Sequence, residues 1–330
     1  MSKKLYPLFG IITVLNTPFT TEDTVDLVAL RRHVEVAIDA GVAGFLVPAM
    51  AAEVYKLTER ERRLMVETVM EACAGRVPVI GGAGAHDDEQ RLRVARDILA
   101  AGCPNLLLQI PFTGAAAYRG AVLRVAELGP ALIMLQDWDF GGGGLPLDLI
   151  CDLFEAVEPF RCLKIETTPA GPKYTAVLEA TGGRLHVSGG WAVSNMLEAF
   201  ERGVHAFMPT GLHELYTLID DLYRRGDVAG ATHWFERTLP ILAFANQHLD
   251  ISIHFFKRLL HRQGIYPTPH VRQPILPFDA YHERRVAVLI PYALELLAQA
   301  GAAQASAQGG LPASFNAGLT SAARQPKMRI

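Results

Sequence analysis

The sequence predicts an α/β protein, a (β/α)8 TIM barrel with helices appended at its C-terminal end. Short β-rich runs alternate with helically patterned segments along the first two thirds of the chain, the signal for repeated βα units and a parallel sheet. Eight such runs can be counted, roughly 20 to 35 residues apart, which matches a closed barrel. The competing architecture, a doubly wound open sheet around a nucleotide, lacks its markers. No G-x-G-x-x-G follows the first strand, no G-x-x-x-x-G-K-[ST] occurs, and Gly81-Gly82-Ala83-Gly84 has the wrong spacing.

In order, the predicted strands are residues 10–15, 44–47, 77–81, 105–109, 131–136, 161–165, 184–187 and 205–208. Between them lie apolar residues at helical spacing, as in Leu27, Leu30, Val34 and Ile38, or Leu64, Met65, Thr68, Val69 and Ala72. Thr58-Glu59-Arg60-Glu61 reads as a helix start, with Thr58 as the cap and acidic residues in the first turn. After Arg225-Gly226-Asp227 the pattern is wholly helical, more than eight βα units need. The expected organisation is a barrel over 1–228, a helical extension over 229–300 packed on it, and a flexible tail over 301–330. That tail is dominated by Ala, Gly, Ser, Gln and Pro and should carry no chemistry.

Half of the 330 residues are apolar (50%) and a fifth charged (20%), enough for one large core. The formal net charge of −3 comes without an extended basic stretch, which argues against nucleic acid or an anionic membrane surface as partner. Cys73, Cys103, Cys151 and Cys162 are widely separated and form no C-x-x-C pair, so they read as buried free thiols in a reducing compartment. No apolar h-region follows Lys3 and Lys4, and no uninterrupted apolar run is long enough to span a bilayer. A cytoplasmic location is the expectation.

The residue that carries chemistry is Lys164, in the apolar run Phe160-Arg161-Cys162-Leu163-Lys164-Ile165-Glu166. Burial disfavours an ammonium ion, and a neutral amine can attack a ketone to form a Schiff base. Glu166 lies two residues on, so in a strand both side chains face the same way, and an internal ion pair is the competing reading. In barrels of this kind reacting groups stand at the carboxyl ends of the strands. Those ends place Met50-Ala51-Ala52-Glu53, Gly81-Gly82, Pro111-Phe112-Thr113, Gln136-Asp137-Trp138, Lys164-Ile165-Glu166, Gly189-Gly190-Trp191 and Met208-Pro209-Thr210-Gly211 at one rim.

Over residues 8–300 these pieces resemble the dihydrodipicolinate synthase and N-acetylneuraminate lyase family of Schiff-base aldolases. The matching segments are Thr17-Pro18-Phe19, Gly41-Val42-Ala43-Gly44, Glu53 followed by Leu57-Thr58-Glu59-Arg60-Glu61-Arg62, Pro78-Val79-Ile80-Gly81-Gly82, Pro111, the Lys164 strand and Ser188-Gly189-Gly190. The resemblance implies that Lys164 forms the imine with pyruvate or a related 2-keto acid. It further implies that the covalent lysine imine stands in for any cofactor, and that the chain assembles as a homo-oligomer, a dimer or tetramer.

The chain departs from that family at the proton relay. Gln136 aligns with the family's strand-five tyrosine, and an amide cannot titrate near neutral pH, so Gln136 is expected to orient rather than transfer protons. Met50-Ala51 replaces a threonine pair, and Phe140 to Gly144 stand where the synthases carry an arginine for a second carboxylate. Carrying over the lysine-biosynthesis activity is therefore unsafe. Glu166 is the first candidate to replace the tyrosine as acid and base, with a structural partner of Lys164 as the alternative. Glu53 reads more readily as a carboxylate binding backbone N–H groups, and Asp137 as a cap or salt bridge outside the barrel.

The remaining rim residues give an apolar pocket: Met50, Ala51, Phe112, Trp138, Trp191 and Met208, with Gly189, Gly190 and Glu53 as further substrate contacts. The glycine run could make room for a large acyl group, form a lid, or be a simple turn. Eleven histidines do not make a metal site, because His213-Glu214 lacks the second histidine of H-E-x-x-H. Lys173 near a helix start reads as a surface lysine. The expected function is a Schiff-base lyase or aldolase. A catalytically silent metabolite-binding barrel or scaffold, and a hydratase-aldolase or dehydratase using the same imine, are the alternatives.

Overall fold

In the computed structural model, which describes residues 3–139 and 141–309, eight parallel strands close into a barrel in sequence order. The strands are β1 Gly10–Val14, β2 Gly44–Val47, β3 Val79–Gly82, β4 Asn105–Leu108, β5 Leu132–Asp139, β6 Phe160–Thr167, β7 His186–Gly189 and β8 Ala206–Phe207. The helices that follow them are α1 Leu27–Asp39, α2 Glu59–Cys73, α3 Asp88–Ala100, α4 Ala115–Ala126, α5 Leu147–Ala156, α6 Gly171–Ala180, α7 Met196–Glu201 and α8 His213–Arg224. All eight predicted strands are present. The largest difference is at β5 and β6, which run as far as Asp139 and Thr167 and pair along that length, so their ends stand above the other strands.

Period-two alternation sorts each strand into two cores. Ile12, Val14, Leu46, Ile80, Leu107, Leu132, Met134, Cys162, Ala206 and Met208 fill the barrel interior. Their neighbours Ile11, Phe45, Val79, Leu106, Ile133, Leu163 and Val187 face the helices. By the same parity Gln136, Lys164, Glu166 and Ser188 stand on the interior side, above an apolar floor. Helix α2 starts as its sequence dictates: Thr58 Oγ1 accepts from Glu61 N–H, and the Glu61 carboxylate accepts from Thr58 N–H.

Three further helices form the extension: α9 Val228–Ala245, α10 Leu249–Arg262 and α11 Ala280–Gly309. Helix α11 continues past residue 300, where the tail was expected to begin, and Gln304 Nε2 ties it to Thr217 Oγ1 of α8 at 2.8 Å. Residues 310–330 of that expected tail lie outside the described residues. Ala280–Ala305 is long and apolar enough to cross a membrane by length and composition, although Glu283, Arg284, Arg285 and Glu295 interrupt it. Its Val286, Leu289, Ile290, Ala293, Leu296 and Ala300 are buried in the main core, so one face of this helix is used in packing. Cys73, Cys103 and Cys162 are buried thiols, whereas Cys151 is half-buried.

Several histidines are buried as neutral, hydrogen-bonded groups. His33 Nε2 and His213 Nε2 lie 2.9 Å apart, His33 Nδ1 is 2.8 Å from the Tyr266 hydroxyl, and His186 Nε2 meets the Leu8 carbonyl oxygen. Burial lowers His213 to about 4 and His186 to about 3. Unfolded, both would take up a proton near the ordinary value of 6.5, so the native state binds fewer protons below that pH. Above it neither contributes. Stability should therefore fall as pH drops from about 6.5 towards about 4, by on the order of 3 kcal/mol for each at the lower limit. Thermal melts across that range check this, and His213→Gln should flatten the slope; an unchanged slope refutes the assignment.

Candidate active site

Lys164 is 4% exposed and lies on the interior face of β6 near its carboxyl end. Its Nζ is 2.9 Å from Glu166 Oε1, and both side chains are nearly enclosed. The other carboxylate oxygen of Glu166 accepts a hydrogen bond from Gln136 Nε2. Register explains the triangle: Gln136 pairs with Lys164 across β5 and β6, and Trp138 pairs with Glu166, so the amide reaches up one pleat to the carboxylate. Gln136 Nε2 also lies 3.7 Å from Met50 Sδ, while its Oε1 is buried without a partner.

Lys164 and Glu166 open onto a cavity of about 570 Å³. Its lower wall comes from the strand ends, with Met50, Ala51, Gly190 and Met208 from the sequence-predicted set. Its outer wall is supplied by α9, the turn that follows it and α10, including Leu242, Asn246, His248 and Phe256. Sequence reasoning assigned the extension to packing on the barrel and missed this wall. No local signal could have found it, because bringing residues 51 and 248 to one cavity depends on closure of the whole chain.

Gly190 is required by space rather than by backbone conformation, its φ being −90°. A Cβ there would stand 2.5 Å from Glu166 Cδ and 2.6 Å from Lys164 Cε, far inside contact distance. Gly190→Ala should therefore displace the Lys164–Glu166 pair and abolish activity while leaving the far-ultraviolet circular dichroism spectrum intact. Retained activity would mean that the pair is not needed in this position.

The other predicted contacts go elsewhere. Glu53, in left-handed backbone geometry with φ 57°, turns away from the cavity. Its oxygens accept from Lys257 Nζ at 2.6 Å, Lys56 Nζ at 3.2 Å and Arg272 N–H at 3.0 Å, so it ties the loop carrying Met50 and Ala51 to α10. Only one of these partners is a backbone N–H of the kind expected for Glu53, the other two being lysine ammonium groups, and Glu53 does not line the cavity. Phe112 and Trp138 line a separate cavity of about 330 Å³ on the β4 and β5 side, together with Gln136 and Asp137. Gly189 lies within β7 and does not line the main cavity, and the Trp191 side chain lies outside the described residues.

Asp137 faces away from the barrel interior, accepting from Leu145 N–H at 2.7 Å, with Lys173 Nζ 3.3 Å away. Burial pushes its carboxyl up, against these two interactions. Lys173 also donates to Gly143 O at 2.7 Å and to Leu145 O, so it anchors this loop instead of standing free at the surface. Asp139 Oδ1 accepts from Gly141 N–H at 3.0 Å, and Gly144 needs its φ of +70° where a Cβ would stand 2.6 Å from Thr167 Cγ2. The glycine run is a pinned turn. Phe140 lies outside the described residues.

A model of the dihydrodipicolinate synthetase family matches residues 7–293. The chain is 32% identical over 180 residues to 4-hydroxy-tetrahydrodipicolinate synthase of Sorangium cellulosum, a match covering 53% of this chain and 56% of that protein. The match thus spans little more than half of that relative. Longer matches are to the synthase of Xanthomonas campestris, 28% identical over 84% of this chain and 91% of that one, and to L-2-keto-3-deoxyarabonate dehydratase of Azospirillum brasilense, 25% identical over 81% and 88%. The fold is shared with dihydrodipicolinate synthase from Rhodopseudomonas palustris, with a TM-score of 0.79 at 20% identity, over 88% of this chain and 100% of that one. With the family model matching most of the chain, this protein belongs to the dihydrodipicolinate synthetase family, as a divergent member.

Proposed function

We propose that this protein is a Schiff-base lyase or aldolase acting on pyruvate or a related α-keto acid, and that it is not a lysine-biosynthesis synthase. The observation that carries the reading is the Lys164–Glu166 contact of 2.9 Å at the wall of a sheltered cavity. To attack the keto carbon, the Lys164 amine must first give up a proton, and Glu166 Oε1 is within reach to accept it. Nζ then bonds to the carbonyl carbon as the C=O π bond opens onto oxygen, Glu166 returns that proton to the oxygen and then carries a second from Nζ to the same oxygen, and the C–O bond breaks to release water and leave the protonated imine. The protonated imine becomes the electron sink for the carbanion formed when the adjacent carbon–carbon bond is made or broken. Gln136 holds Glu166 in place and cannot compete for the proton.

Borohydride reduction in the presence of pyruvate or other keto acids, followed by mass spectrometry, tests this. An adduct on Lys164 supports the reading. If none forms across a broad panel while Lys164→Ala leaves ligand binding intact, the chain is a silent metabolite-binding barrel. Similarity to the Azospirillum brasilense dehydratase favours a second enzymatic reading, in which the same imine assists loss of a hydroxyl as water. Product analysis separates release of an aldehyde from loss of water. The proposal includes a homo-oligomer, dimer or tetramer, and a solution mass equal to one 36.0 kDa chain would reject it.

A further inference from the structure

The cavity is much larger than pyruvate needs, and its far wall constrains what else the substrate carries. Of the described residues lining it, Lys164 is the sole lysine or arginine, and it is already paired with Glu166. A second carboxylate, Asp250, also lines the cavity. A substrate bearing a carboxylate at its far end would meet two like charges and no free basic side chain apart from the rim imidazole of His248. A polyol fares little better, because three of the neutral polar side chains that line the cavity are engaged within the protein. The Thr210 hydroxyl lies 2.8 Å from Asn16 Oδ1, Asn246 Nδ2 donates to Ser194 Oγ at 2.6 Å, and Gln247 Nε2 donates to Phe244 O at 3.2 Å. What stays open is apolar surface from Met50, Val193, Met208, Leu242 and Phe256, with two thioethers that adapt to irregular shapes.

We infer that the group beyond the bond made or broken is uncharged and apolar, an alkyl or aryl residue, and that Leu242, Phe256, Met208 and Asn246 select it. This rests on the imine reading for its chemistry. In the condensing direction the enamine carbon of the Lys164-bound pyruvate attacks the carbonyl carbon of an apolar aldehyde, whose oxygen takes up a proton. Water then hydrolyses the imine, replacing the water lost when it formed and releasing a hydroxy keto acid. Binding is separate from that chemistry. Apolar area removed from water favours the ligand whether or not a covalent bond follows.

Calorimetric titration with benzylpyruvate and with α-ketoglutarate, both α-keto acids, tests the inference, since any imine contribution is common to the two. Benzylpyruvate should bind at least about tenfold more tightly. Asn246→Arg, which places a guanidinium at the half-buried rim, should narrow or invert the ratio. Equal or tighter binding of α-ketoglutarate by the unaltered protein overturns the inference. Borohydride trapping on the same samples distinguishes the two claims: loss of the Lys164 adduct with the ratio preserved refutes the imine and leaves the apolar selection standing, whereas a Lys164 adduct with the ratio reversed does the opposite.

Discussion

Glu166→Gln is expected to lower turnover by about a hundredfold to ten-thousandfold, the range lost when a positioned acid or base is removed. The replacement keeps the shape of the side chain but only one of the two acceptor oxygens that meet Lys164 and Gln136, and it cannot carry the proton that must leave Lys164 before attack. The rate of imine trapping with pyruvate should fall in parallel, and the pH–rate profile should lose one limb. A purely structural Glu166 gives the opposite result. If it serves only to neutralise Lys164, its removal frees the amine, and trapping becomes unchanged or faster. The two roles left open by the spacing of Lys164 and Glu166 are thus distinguished by the sign of one rate change.

Lys257→Met should produce the largest loss of stability. Lys257 and Glu53 are both fully buried, 2.6 Å apart, and the ammonium stands 4.3 Å from the centre of the Phe19 ring. Burial lowers Lys257 to about 8, with Glu53 opposing the shift. Removing one member of such a pair typically costs about 3–5 kcal/mol because the remaining charge is left in a poor medium. Here Lys56 still reaches Glu53 at 3.2 Å, so the lower part of that range is expected, and a melting temperature lower by about 4–5 °C. Adding Glu53→Gln should recover part of the loss, as coupled neighbours do in a double-mutant cycle. Melting curves of the three variants measure this, and strict additivity would show that the pair is not coupled.

The interior half of the site was legible because it obeys strand parity. Lysine in an apolar strand, a glutamate two residues on and a glutamine on the adjoining strand are all readable from order and spacing, and the barrel brings them within hydrogen-bond reach. Phe112 and Trp138 were placed at the correct rim but not in the correct cavity, since a strand-end position does not say on which side of Gln136 a ring will lie. Glu53 was readable as structural, yet its partner on α10 was not. Lys257 carries the same signal as Lys164, a cation at the end of a buried run, Ile251 to Lys257, but on a helix whose place in the fold the sequence left open.

The sequence alone determined the barrel, the eight strands and the inward direction of Lys164, because periodicity of two or of about 3.6 residues is a local property that each segment expresses by itself. Tertiary structure decided that Glu166 is shared by Lys164 and Gln136, that Glu53 belongs to the extension, and that the cavity is closed by residues of α9 and α10. Those outcomes depend on distances between segments far apart in the chain, which local pattern does not encode and which only closure of the barrel and docking of its last helices establish.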